Sequence, residues 1–116
     1  MMSLWSVELE PEVEQWLESL AARPFGAAAF HIDRLAEEGS SLRMPHSRAL
    51  GDGLFELRFD LDGNACRVTF FFPGDRRRVL LTTFRKQRLD ERAEVSRARN
   101  ALRRCVEQRH TTEGEI

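Results

Sequence analysis

The chain has 116 residues, 41% of them apolar and 32% charged, and a net charge of −1. That is enough for one domain with its own core, and ordinary for a globular protein. No stretch reaches the ~18 apolar residues of a membrane span, and the start lacks a charged-then-apolar leader pattern, so a cytoplasmic protein with no membrane partner is expected.

The charge is unevenly spread. Residues 1–42 hold 2 basic and 8 acidic side chains, whereas residues 43–109 hold 16 basic and 9 acidic ones. A basic block of this kind argues for a nucleic-acid partner despite the near-neutral total, because binding follows the potential at one face. Cys66 and Cys105 lack the paired spacing of a zinc site and fall on apolar faces, which reads as buried, reduced thiols. No Asp/Glu/His cluster suggests a metal, and no cofactor is expected.

Trp5 to Leu9 alternates and predicts a first strand. Pro11 opens a helix, with Glu12 and Glu14 in its first turn where the helix dipole favours anions. Val13, Trp16, Leu17 and Leu20 make one apolar face, and Pro24 is expected to break the helix. A second helix is predicted over about Gly26 to Glu38, with Ala28, Ile32, Leu35 and Ala36 on one side and Gly39 as its cap. Ser40 to Ala49, carrying Arg43, His46 and Arg48, reads as a polar loop.

Three strands follow, at about 53–61, 65–72 and 78–84, punctuated by Asp62-Gly63 and Pro73-Gly74-Asp75. Arg76, Arg77 and Arg78 read most simply as a solvated turn. A last helix is predicted from about Asp90, a plausible N-cap, to about Arg109. Its stripe is Val95, Ala98, Leu102, Cys105 and Val106, leaving Arg92, Arg97, Arg99, Arg103 and Arg104 mostly outside. The expected domain is 1–109, followed by a flexible acidic tail over 110–116.

Glu56, Arg58 and Asp60 share the less apolar face of the central strand, and Arg67 lies on the same face of the next. Which residues meet depends on the turn. A two-residue type I′ turn at Asp62-Gly63 pairs Leu61 with Asn64 and sets Arg58 opposite Arg67, whereas a four-residue loop sets Asp60 opposite Arg67. The first register juxtaposes like charges, at roughly 0.2–1 kcal/mol, and makes sense with an anion between them. The second gives an ordinary surface ion pair. Asp-Gly favours the first and leaves the second open.

An ordered set of residues is more specific than any of these pieces. It runs through Trp5-x-Val7, Val13-x-x-Trp16-Leu17-x-x-Leu20 and Pro45-x-Ser47-x-x-Leu50-x-Asp52-Gly53-Leu54-Phe55-Glu56-Leu57-Arg58. Cys66-Arg67-Val68 and Leu80-Leu81-Thr82-Thr83-Phe84-Arg85-Lys86 complete it. Over about residues 4–105 the chain resembles the phage-derived Gp49-like, HigB-type branch of the RelE/ParE toxin superfamily.

The resemblance implies an α+β fold, with two N-terminal helices and a C-terminal helix packed on a small twisted antiparallel sheet. It implies the toxin of a type II toxin–antitoxin system, cleaving messenger RNA on the ribosome. The implied partner is a helix-turn-helix antitoxin, through which alone the toxin would meet operator DNA. A ParE-like inhibitor of gyrase, or a non-catalytic binding member of the same fold, is the alternative.

The matched arginine of the ELR motif, the arginine of the following strand and the basic end of the last strand are Arg58, Arg67 and Lys86. Arginine suits a phosphorane, since its fork grips two oxygens and keeps its charge. His46 is the candidate for proton transfer, with Glu56 as a second candidate or simply the ion-pair partner of Arg58. Arg43, Arg48, Arg85 and Arg88 are the candidate RNA-binding set. Two departures from the family pattern stand out: Gln87 occupies a position that is often basic, and the chain has no Tyr, with His110 past the matched region. His31 reads as a helix-edge residue.

Overall fold

The computed structural model describes residues 6–38, 46–74, 77–86 and 90–114. The first strand, β1 (Ser6–Leu9), leads into α1 (Pro11–Glu18) and α2 (Ala22–Glu38). Four strands follow, β2 (Ser47–Gly51), β3 (Leu54–Leu61), β4 (Asn64–Gly74) and β5 (Arg77–Arg85), and then the last helix, α3 (Arg92–Gly114). The strands form one sheet in the order β1-β5-β4-β3-β2, antiparallel except for the parallel β1–β5 pair. The expected α+β architecture stands, with one parallel edge and one added strand. No helix among the described residues is long and apolar enough to cross a membrane.

Two element boundaries differ from expectation, each for a physical reason. α1 already ends at Glu18, and Pro24 lies in the first turn of α2, so the proline breaks neither helix. The first turn's N–H groups have no intrahelical acceptor, so proline costs nothing there. The segment expected as a polar loop turns at its end into β2, whose Arg48 pairs with Glu56 and Ala49 with Phe55. Its polar side chains hid it, because an edge strand is held by backbone pairing and need not alternate cleanly. Trp5, Gly39 and Arg76 lie outside the described residues.

The β3–β4 hairpin has the two-residue turn. Leu61 pairs with Asn64, and Asp62 and Gly63 both take positive φ, 51° and 84°. That is the left-handed backbone of a type I′ turn. From it follows the pairing of Phe59 with Cys66, Arg58 with Arg67 and Glu56 with Thr69. The four-residue alternative is thereby excluded.

Each sheet face has its own core. Val13, Leu17, Ala28, Ile32 and Leu35 of α1 and α2 pack on Leu57, Phe59, Leu61, Val68, Phe70 and Leu80. On the other face Ala98 and Cys105 of α3 pack on Leu54, Phe71, Val79 and Leu81, with Val95, Leu102 and Val106 beside them. Both cysteines are free and buried. Each buried Leu or Phe contributes about 1.5–3 kcal/mol, so the two layers, not the surface ion pairs, hold the fold.

Polar pins join the layers at the edges. Beyond the end of β1, the Thr83 N–H donates to Glu12 Oε2 at 2.9 Å. Arg97 of α3 grips the same Glu12 carboxylate and donates to the Thr83 carbonyl at 3.2 Å. Arg99 donates to the carbonyls of Leu50 and Gly51 at 2.7 and 3.1 Å, tying α3 to the β2–β3 turn. These helix arginines are structural fasteners.

Arg78 corrects the expectation of a solvated turn. It is fully buried, pairs with Val7 across β1–β5, and holds its guanidinium carbon 5.6 Å from the Phe72 ring centroid. Burial pulls its pKa down to about 10. β5 starts at Arg77, so the third arginine of the run is already inside the sheet. At the start of α3, Asp90 Oδ1 accepts the Arg92 N–H at 3.0 Å, and the helix runs past Arg109 to Gly114.

The turn yields the first prediction. A Cβ at Gly63 meets nothing within 4 Å, but its φ is +84°. Gly63→Ala is therefore expected to cost about 1–2 kcal/mol from backbone conformation alone. The check is a denaturant titration, with a lower midpoint at unchanged slope.

Candidate functional site

The site grows from two rows of side chains on the α3 side of the sheet. In one row Arg48 of β2, Glu56 of β3, Thr69 of β4 and Thr82 of β5 stand opposite one another. In the next, Arg58 faces Arg67, which faces Phe84. The Thr pair is a satisfied polar bulge: the Thr82 N–H donates to Thr69 Oγ1 at 3.1 Å, and the two hydroxyl oxygens are 2.5 Å apart.

Glu56 is the pivot. It is 1% exposed, and its Oε1 lies 3.7 Å from Arg58 Nε and 3.8 Å from Arg67 Nε. The two guanidiniums thus share the Glu56 carboxylate. Arg58 is the more open of the two, at 23% side-chain exposure against 8%. Arg67 Nη1 also donates to the Cys66 carbonyl at 3.0 Å. Burial pushes the Glu56 carboxyl up, the Glu91 carboxylate adds to this, and Arg67, Arg58 and Arg48 oppose it.

Lys86 closes the site from the end of β5. Its N–H donates to the Ala65 carbonyl at 2.8 Å and its Nζ lies 3.3 Å from Glu91 Oε2. Lys86 and Arg48 line an open cleft of about 530 Å³ with Glu91, Arg92 and Arg99 at the start of α3.

A second open cleft, of about 380 Å³, is lined by His31, His46, Arg58, Phe59, Asp60 and Arg67. It wraps the edge of β3 near the Ser47–Leu57 pair that begins β2. His46 is fixed there by its own carbonyl, which accepts the Arg58 N–H at 2.8 Å. His31 reaches the same cleft from α2, stacked on Phe59 with ring centroids 4.7 Å apart and planes 13° apart. Burial lowers the His31 pKa, with Arg34 and His46 adding to the fall and Asp60 opposing it.

The structure therefore gathers Arg48, Arg58, Arg67, Lys86 and His46 around one end of the sheet. Arg85 is not among them. It pairs with Cys66, on the α1/α2 side, and donates to Asn64 Oδ1 at 3.3 Å beside an apolar groove that includes Trp16, Leu20 and Phe84. Arg43 and Arg88 lie outside the described residues. His31 and Glu91 join the site without having been expected there. The Glu56-x-Arg58 alternation foretold that Glu56 shares the arginine face. Its burial, and the arrival of His31, follow only from helix packing. Among the described residues no group of His, Cys, Asp and Glu could hold a metal ion.

A sequence family described as "Phage derived protein Gp49-like (DUF891)" matches residues 15–106. The chain belongs to that family. It is a RelE/HigB-type toxin family. The structure of the E. coli toxin RelE in the free state, with two of its arginines replaced by alanine, superposes with a TM-score of 0.58 at 10% identity, over 89% of this chain and 98% of that one. At that identity the likeness speaks for the fold alone: this Gp49-like chain has a RelE-like toxin fold. Among curated proteins none matches the chain.

The site's imidazoles give the second prediction. Followed by NMR, the His31 ring is expected to titrate below the ordinary value of 6.5. Arg34→Gln should bring it part of the way back, since burial is the larger cause.

Proposed function

We propose that this Gp49-like chain is the toxin of a type II toxin–antitoxin pair, acting in the cytoplasm as an endoribonuclease on messenger RNA in the ribosomal A site. The observation that carries the reading is the Arg58–Arg67 cross-strand pair. Like charges are placed directly opposite each other, with Arg48 and Lys86 nearby and Glu56 shared between them.

In this reading Arg58 and Arg67 hold the scissile phosphate, and Lys86, with Arg48, holds it or its neighbour. A base takes the 2′-hydroxyl proton, O2′ attacks phosphorus, and the P–O5′ bond breaks. An acid then protonates the departing O5′, giving a 2′,3′-cyclic phosphate and a 5′-hydroxyl. Guanidinium charge stabilises the phosphorane, so the arginines supply what a metal would otherwise provide. His46, on the cleft that Arg58 also lines, supplies one of the proton-transfer groups. Arg43, Arg85 and Arg88 remain RNA-backbone contacts in this proposal, Arg85 from the far face.

Induced expression is expected to arrest growth and to produce messenger RNA cuts in register with codons. Arg58→Ala and Arg67→Lys should each lower cleavage by about 100-fold or more while far-UV circular dichroism is unchanged. Full toxicity in both variants would overturn the reading. A ParE-like inhibitor would instead block gyrase supercoiling, an assay in which no effect is expected.

The partner is a helix-turn-helix antitoxin, which would also link the toxin to operator DNA. An acidic or extended antitoxin segment would mask the basic site. Co-expression with the product of an adjacent helix-turn-helix gene should restore growth, and the two chains should co-purify in a complex weakened by salt.

A further inference from the structure

We propose that Glu56 is a built-in stand-in for the substrate phosphate: its carboxylate holds Arg58 and Arg67 aligned until a phosphate group docks on them, and it then takes up a proton. The inference rests on the reading that this arginine pair receives RNA phosphate, and it makes Glu56 a positioning residue.

The geometry is unusual for a structural ion pair. At 3.7 and 3.8 Å, the Nε–Oε1 separations are too long for hydrogen bonds. Both Glu56 oxygens and the Arg67 Nε are buried and make no hydrogen bond among the described residues. A carboxylate kept for stability would be saturated with donors, since an unsatisfied buried charge is costly. Glu56 is instead held by charge alone, and its position between the guanidiniums resembles that of a weakly seated anion.

The charged groups around it come from every neighbouring element. Arg48 stands opposite on β2, Arg58 lies two residues along β3, and Arg67 comes from β4. Glu91, at the entrance to α3, repels Glu56 while Lys86 holds Glu91. Glu56 already binds its proton more tightly than an ordinary carboxyl, with burial as the main cause and Glu91 next. A second anion on the same arginines pushes it further in that direction, because two anions sharing one site cannot both stay ionised cheaply. Binding of the anion and uptake of the proton are thus linked. Affinity should rise as pH falls, by up to about tenfold per pH unit between the empty-site and bound-site pKa values.

Sulfate is the probe, since it does not titrate between pH 4 and 8. It is titrated into the whole chain at several pH values, and the Glu56 side-chain carboxyl carbon is followed by NMR. The expected result is a Glu56 pKa that rises with sulfate, and sulfate affinity that strengthens toward low pH. In Glu56→Gln the affinity should be higher at pH 8 and its pH dependence flatter, while Arg58→Ala abolishes binding. The wild-type carboxyl signal decides the matter even if the Gln variant fails to fold. A Glu56 signal indifferent to bound sulfate, an unchanged pH dependence in Glu56→Gln, or no sulfate binding at all would overturn the inference. If growth arrest and codon-registered cleavage nonetheless depend on Arg58 and Arg67, the nuclease reading stands without it. Sulfate binding that ignores Arg58→Ala would count against both.

Discussion

Because Asp62 and Gly63 both adopt left-handed backbone, β3 and β4 are joined by two residues, and every cross-strand pair from Leu61–Asn64 onward is fixed. The turn agrees with the hydrophobic alternation. Leu57, Phe59 and Leu61 pair across the strands with Val68, Cys66 and Asn64, and all but Asn64 are buried under α1 and α2. Burial of a Leu or Phe contributes about 1.5–3 kcal/mol, and opposing like charges across strands costs about 0.2–1 kcal/mol. The core therefore fixes which face each arginine takes, and the Asp62-Gly63 turn fixes the register that brings the two into apposition. A four-residue loop would keep the same face buried and relieve the penalty, so the turn is what holds the positive site assembled.

α3 then decides which charges border that site. Arg97 and Arg99 fasten the helix to Glu12, to the Thr83 carbonyl and to the β2–β3 turn. The apolar stripe of α3 covers Leu54, Phe71 and Leu81. Its entrance brings Glu91 beside Lys86 and within electrostatic reach of Glu56. The same docking that completes the second core thus sets the Glu91–Lys86 pair beside Glu56. Charge–charge terms are stronger in buried surroundings than at an open surface, and the buried Glu56 carboxylate acts on both guanidiniums.

Much of this was legible in the residues. The three central strands, the Asp-Gly turn and the Arg58–Arg67 apposition follow from period-two alternation and one turn signal, both local. The burial of Cys66 and Cys105 follows from their place on apolar faces. What was not legible depends on which element lies opposite. Arg78 is buried because β1 pairs beside it, and β2 exists because β3 offers an edge. His31 enters the cleft because α2 crosses β3, and Arg97 and Arg99 find acceptors only once α3 has docked. Composition treats all these arginines alike. Their roles separate according to whether a backbone carbonyl, an aromatic ring or a carboxylate happens to face them.

In the proposed reaction, proton transfer falls to the sheet edge. Of the three histidines, His31 and His46 lie on the cleft that wraps the β3 edge, together with Arg58 and Arg67. The link between the two kinds of chemistry is a backbone hydrogen bond as well as a shared cleft. The residue whose side chain faces Glu56 donates its own N–H to the His46 carbonyl, so a shift of one moves the other. Burial, with Arg34 and His46 beside it, favours the neutral form of His31, the form that a base needs. In the proposed reaction, an RNA strand crossing this edge would present a phosphate to the arginines and its ribose to the imidazoles. In that reading the acid–base groups stand at the sheet edge, tied through the backbone to the residues that hold the phosphate.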